Sequence, residues 1–147
     1  MELTHLDSKG QLRMVNITEK KVVKRWARAR AKIKLNPTTL ERLKGEELPK
    51  GEALGCARVA AIQGAKKTAE LIPLCHNLPI EHLGIDFKFY HQELEIIASA
   101  VTTAKTGIEM EVLTAVSIGA LAIYDMCKAV DKEIKITDIQ LLEKGKE

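Results

Sequence analysis

Between Ala27 and Leu35 the chain alternates without a break. Ala27, Ala29, Ala31, Ile33 and Leu35 take every other position, with Arg28, Arg30, Lys32 and Lys34 between them. Successive side chains leave a strand in opposite directions, so this pattern predicts a strand with one buried and one charged face. Such a strand needs hydrogen-bonding neighbours and a layer to cover its apolar side. Leu83 to Tyr90 supplies a neighbour, alternating Ile85, Phe87 and Phe89 with Asp86 and Lys88. After a short polar turn, Leu94 to Val101 reads as the return arm of a hairpin. Ile134 to Leu142 alternates again.

The covering layer comes from two helical stretches. Asn36-Pro37 opens a short turn through Thr39 to Leu43 in the cap-then-proline manner. A charged loop from Gly45 to Gly51 follows. Ala53 to Leu71 then reads as a helix rich in Gly55, Ala57, Ala60, Ala61, Gly64 and Ala65, stopped by Pro73. Small residues of this kind allow another backbone to approach closely. Thr106, with Glu109 three residues on, predicts a capping box at the start of a second long helix. That helix is expected to reach about Val130 and to break at Asp131-Lys132. The order β-α-β-β-α-β predicts an α+β, ferredoxin-like fold, an antiparallel sheet with two helices packed on one face. At 147 residues and 46% apolar, one domain over 1–147 is expected, with 1–22 as an N-terminal extension.

Composition narrows the function classes. No apolar run approaches the roughly 18–20 residues of a membrane span, and no signal segment is apparent, so a cytoplasmic protein without membrane contact is expected. The three cysteines, Cys56, Cys75 and Cys127, contain no C-x-x-C pair, which predicts neither a disulfide framework nor a metal centre. A net charge of +3 suits an anionic ligand and is a poor footprint for nucleic acid. The glycine-rich phosphate loops and the H-E-x-x-H zinc motif are absent.

Chemistry must therefore come from three other segments. Leu74-Cys75-His76-Asn77-Leu78 lies between Pro73 and Pro79, a stiffened loop in which neighbouring Cys75 and His76 point opposite ways. It is either a rigid turn with a buried thiol or a place where His76 meets a ligand. Glu109, Met110 and Glu111 sit at a helix start, where carboxylates complement the helix dipole. They could also accept the N–H edge of a guanine-like ring. Asp125 and Lys128, three apart on one helix face, form either a surface ion pair or, among apolar neighbours, an acid/base couple. Among the basic residues, Lys50, Arg58 and Lys66 are the candidates for phosphate, because they lie on or before the helix leading to the His76 loop. Glu111 and Asp125 stand about 21 Å apart along one helix, so a single small ligand touching both requires a site shared between subunits.

Taken together, Leu71-Ile72-Pro73-Leu74-Cys75-His76-Asn77-Leu78-Pro79, Lys105-Thr106-Gly107-Ile108-Glu109-Met110-Glu111 and Ile123-Tyr124-Asp125-Met126-Cys127-Lys128 resemble one family. It is the molybdenum cofactor biosynthesis protein C family, the cyclic pyranopterin monophosphate synthases. The resemblance runs from Thr4-His5 to the last strand. It implies a lyase that rearranges 3′,8-cyclised dihydro-GTP to cyclic pyranopterin monophosphate, releasing pyrophosphate, with no cofactor and no metal. It also implies a ferredoxin-like fold and a homohexamer, a trimer of dimers with sites at the dimer interface. Carried over, Asp125 is the general acid/base, with Lys128 and Lys50 as catalytic partners. Leu74, Cys75 and His76 contact substrate, Met110 and Glu111 meet its purine-derived part, and Glu109 belongs to the same site. Lys66 resembles a family lysine serving the triphosphate; Arg58 is added on charge and position. Where the family usually has aspartate this chain has Asn16, which keeps an acceptor and loses the charge.

Two other classes are kept open. A nucleic-acid-binding ferredoxin-like module would use the basic strand, although aromatics for base stacking are only 3% of the chain. A ligand-sensing subunit would bind nucleotide and make no product.

Overall fold

The alternation in the first strand is realised in three dimensions. In the computed structural model, which describes residues 1–147, Ala27, Ala29, Ala31 and Ile33 are at most 1% exposed beneath the helices. The elements are β1 (Val23–Lys34), α1 (Pro37–Lys44), α2 (Ala53–Lys66), α3 (Thr68–Leu71), β2 (His82–Phe89), β3 (Glu93–Ala104), α4 (Glu109–Cys127) and β4 (Lys135–Lys146). The sheet is antiparallel throughout, in the order β2-β3-β1-β4. With α2 and α4 on one face, this is the ferredoxin-like arrangement; α1 and α3 are short additions. β1 is the central partner, in register with β3 from Val23 opposite Ala104 to Lys34 opposite Glu93.

The other face of β1 is neutralised across the sheet. Arg28 pairs with Glu143 at 3.7 Å, Arg30 with Glu95 at 3.4 Å, and Lys32 with Glu93 at 3.9 Å. A row of cations already matched by carboxylates is a poor track for phosphodiester backbone, so the nucleic-acid reading loses its main support.

The two long helices meet through small residues. An added Cβ at Gly64 would lie 2.8 Å from Ile118 Cγ1, and one at Gly119 would lie 3.3 Å from the Ala61 Cβ. Ala57 and Ala61 are fully buried at the same helix pair. The small-residue stretch is therefore consumed inside the chain, in helix–helix packing.

Several boundaries differ from expectation. The helix expected over Ala53–Leu71 is interrupted at Lys67, where Thr68 Oγ1 bonds back to the Ala65 carbonyl at 2.8 Å. The Thr106–Glu109 capping box does not form: α4 begins one turn later at Glu109, its cap is Ile108, and no side chain caps it. Glu109 is instead drawn to Lys144 on β4, at 3.1 Å. The helix also ends at Cys127, short of Val130. Asp131, expected only as a breaker, is 3% exposed and accepts from Asn36 N, Thr39 Oγ1 and Glu133 N. Burial alone would raise its pKa, but these hydrogen bonds hold it below the usual carboxylate value. It pins the start of α1 to the end of α4. By length and composition α4 could cross a membrane, contrary to the run-length expectation, yet half of that stretch is buried against the sheet and α2.

Candidate active site at the two ends of helix α4

Helix α4 carries a cluster at each end. At its N-terminus the stiff loop after α3 folds back over the first turn. Cys75 N–H donates to the Ile72 carbonyl at 3.1 Å, which sets the loop's direction. The Cys75 thiol then lies 4.0 Å from Glu111 Oε2. Burial, reinforced by Glu111 and Glu109, raises the pKa of that thiol. It is therefore a neutral wall of the site rather than a ready nucleophile.

Glu111 is 3% exposed, and its Oε1 has no hydrogen-bond partner. Burial pushes its carboxyl up to about 7, with Glu109 adding to the rise and a backbone hydrogen bond opposing it. Near neutrality Glu111 can therefore be a donor or an acceptor. Its neighbour Met110 is partly exposed at the cavity edge.

His76 donates from Nε2 to the Val15 carbonyl at 2.6 Å. A carbonyl only accepts, so Nε2 carries the hydrogen and Nδ1 of the neutral ring is left as an acceptor. Val15 belongs to the N-terminal segment, which crosses over this loop. Between them is a cavity of about 370 Å³ lined by Leu74, Cys75, His76, Glu109 and Met110 together with His5, Val15, Ile17 and Lys20. Asn16 closes a local turn, its Oδ1 accepting from Thr18 N at 2.9 Å and Thr18 Oγ1 at 2.6 Å. An amide oxygen performs that turn-closing role as an aspartate would.

At the C-terminal end, Asp125 receives two ammonium groups, Lys128 Nζ at 2.9 Å and Lys50 Nζ at 3.0 Å. Lys50 comes from the loop before α2, so this trio is not a local i, i+3 pair. Lys128 first and Lys50 second hold the Asp125 carboxyl below its usual pKa, and Asp125 raises that of Lys128. All three side chains are 42–56% exposed. Each ammonium has three donors and spends one on Asp125, so the cluster offers unspent donors and a net positive charge. That is a fit for an anionic group beside a carboxylate able to move a proton.

The remaining candidates lie elsewhere in the single chain. Arg58 donates to the Ile85 carbonyl and stacks on the Phe87 ring, 5.2 Å from its centroid. Lys66 lines a second cavity, of about 430 Å³, with Ile62, Leu78, Ile80 and Glu81. The structure thus joins Leu74, Cys75, His76, Glu109, Met110 and Glu111 in one region, and Lys50, Asp125 and Lys128 in another. About 21 Å of helix, from its rise per residue, divides the two. Sequence reasoning missed the cavity wall formed by residues 5–20, where nothing periodic marks a partner. It also missed Lys144, whose pairing with Glu109 depends on the register of β4 against β1.

Comparison with known proteins bears on nearly the entire chain. It is 51% identical to the cyclic pyranopterin monophosphate synthase of Peptoclostridium acidaminophilum, over 98% of this chain and 92% of that protein. Against the protein of the same name from Pelotomaculum thermopropionicum the identity is 52%, over 97% of this chain and 85% of the relative. For the Clostridium acetobutylicum protein, again a cyclic pyranopterin monophosphate synthase, it is 50% over 97% and 89%. The model of the MoaC family matches residues 14–146, from the stretch that meets His76 through the end of β4, and the chain belongs to that family.

Proposed function

We propose that this chain is a lyase of molybdenum cofactor biosynthesis that converts 3′,8-cyclised dihydro-GTP to cyclic pyranopterin monophosphate and pyrophosphate. The observation that carries the reading is likeness at about half of all positions, along 97–98% of the chain, to proteins named for that product. The geometry supports it through Glu111. A buried carboxyl oxygen without a partner is costly, and the N–H edge of a guanine-derived ring would satisfy it.

In this reading the purine-derived part of the substrate enters the cavity at the start of α4, against Leu74, Cys75, His76, Met110 and Glu111, with Glu109 held back by Lys144. Asp125 moves protons at the reacting ring as general acid/base. Lys128 and Lys50 keep it ionised until substrate arrives, and their spare donors meet developing negative charge. Lys66 serves the triphosphate; Arg58, spent on Ile85 and Phe87, is left out of the set. The distance along α4 requires that Asp125 of one chain serve the Glu111 pocket of another. We therefore place the sites at a dimer interface within a homohexamer, in the cytoplasm, with no cofactor, metal or nucleic acid involved.

The test is incubation of the purified protein with the cyclised dihydro-GTP, following pyrophosphate and the pterin product, with Asp125→Asn as control. Product from the wild type and none from the variant is the expected result. Bound but unconverted intermediate with the wild type would turn the assignment to a sensing subunit.

A further inference from the structure

The N-terminal segment 1–22 belongs to none of the sheet's strands and has no place in the scheme above, yet it is built and anchored. Asp7 Oδ1 accepts from Lys9 N at 2.8 Å and Gln11 N at 2.9 Å, closing a turn in which Gly10 takes a φ of +76°. That turn folds the segment on itself: Leu6 bridges Leu12, and Arg13 N–H donates to the His5 carbonyl at 2.9 Å. His5 is thereby returned to the cavity. The Asn16–Thr18 turn and a bond from Lys20 N to the Ile17 carbonyl, at 3.0 Å, bring Lys20 to the same cavity.

Two bonds fasten the segment to the site-bearing elements. One is the Val15 carbonyl on His76, at 2.6 Å. The other is the Thr18 carbonyl on Lys105 Nζ, at 3.1 Å, on the segment that leads into α4. Val15 and Ile17, between those anchors, present side chains to the cavity.

The charges around the cavity leave one gap. Glu109 and Glu111 suit the N–H edge of a ring and repel phosphate. Lys144 is spent on Glu109 and Lys105 on Thr18. Lys50 is bound to Asp125, Lys66 lines another cavity, and Arg58 is held at Ile85. Among the residues that line the cavity, Lys20 is the one lysine or arginine, and it makes no ion pair.

We propose that the N-terminal segment is a working wall of the active-site cavity and that Lys20 is the cation through which it holds the phosphate chain of the ligand. This deepens the synthase reading and rests on it for the ligand's class. The anchor on His76 gives the segment a second consequence: it fixes that ring with Nδ1 free to accept, so the wall that binds phosphate also orients a side chain at the substrate.

The experiment compares full-length wild type, Lys20→Met and Lys20→Arg, using inorganic pyrophosphate as the probe in calorimetric binding. The same three proteins are then assayed for turnover of the cyclised dihydro-GTP. Removing one charge-assisted hydrogen bond should weaken pyrophosphate binding and raise KM by about tenfold in Lys20→Met, with kcat changed far less. Lys20→Arg should recover most of the loss, and the melting temperature should be the same in all three. Equal pyrophosphate affinity in wild type and Lys20→Met would overturn the proposal, and with turnover intact it would leave the synthase reading standing. Weakened binding in Lys20→Met without turnover in any of the three would keep the phosphate wall and remove the synthase. No pyrophosphate binding by the wild type would remove the wall itself.

Discussion

The two ends of α4 carry the same kind of group in opposite electrostatic settings. Asp125 lies open to water between two ammonium groups and is held ionised. Glu111 is closed off, lacks a cation, and keeps its proton up to about pH 7. Two carboxylates whose surroundings push their pKa values apart are the usual basis for dividing acid from base and chemistry from recognition. The exposed one is free to be covered and activated by a ligand. The buried one can only be satisfied by a ligand that reaches it. What the contrast teaches is that neither end is a complete site, since each lacks what the other supplies.

The largest expected effect tests that incompleteness. Asp125→Asn and Glu111→Gln should each be inactive as pure proteins, the first by about 100- to 10,000-fold, the range for a lost general acid/base. Mixed and reassembled, they should regain up to about a quarter of wild-type activity, because a site shared by two chains can then draw both intact residues. Continued inactivity of the mixture, with exchange of chains confirmed, would place both carboxylates in one chain's site and break the 21 Å argument (about that, from the helix rise).

A smaller effect sharpens the contrast in charge state. In the unfolded chain Glu111 ionises near its ordinary value of 4.5, whereas the folded chain holds the proton to about 7. Between those values the unfolded state binds fewer protons, so this group makes stability fall as pH rises across the window and leaves it flat beyond. Glu111→Gln, neutral at every pH, should lack that slope and should be more stable than wild type at pH 8. Denaturant melts from pH 4 to 8 at fixed protein concentration would show it. Parallel curves for the two proteins would mean that Glu111 is not the buried acid described.

How much of this was legible in the sequence follows from the range of the forces involved. Period-two alternation is local, so β1, the β2–β3 hairpin and β4 were readable, and with them the sheet's face and the fold class. Boundaries were set by distant partners. Glu109 abandoned its capping role because Lys144 arrives from the last strand, and Asp131 became a buried anchor because Asn36 and Thr39 happen to meet it. The Asp125–Lys128 pair was visible as i, i+3, while Lys50 joins it across 75 residues. The burial that neutralises Glu111 has no sequence signature beyond its apolar neighbours. The segment 1–22 has no periodicity at all: its order comes from short turns and two bonds to side chains far along the chain, which no local pattern announces.

The smallest effect tests what holds the two ends at their spacing. α4 is clamped to α2 midway along its length, where Gly64 faces Ile118. Gly64→Ala gains about 1 kcal/mol of helix propensity, but its Cβ would stand 2.8 Å from Ile118 Cγ1 and 3.0 Å from Cβ. The Cβ of Ile118 cannot rotate away, so the helices must part, at about 1–3 kcal/mol for an overpacked core. The net expectation is a loss of about 1–2 kcal/mol, read as a melting temperature several degrees lower. Ile118→Ala removes the obstructing branches and, combined with Gly64→Ala, should cost less than the two single losses added together. If the helices set the spacing of the clusters, Gly64→Ala should also slow turnover while leaving pyrophosphate affinity unchanged, because Lys20 and its wall do not depend on α2. Loss of both together would mean that the clamp shapes the cavity itself, and the two ends of α4 would no longer be separable.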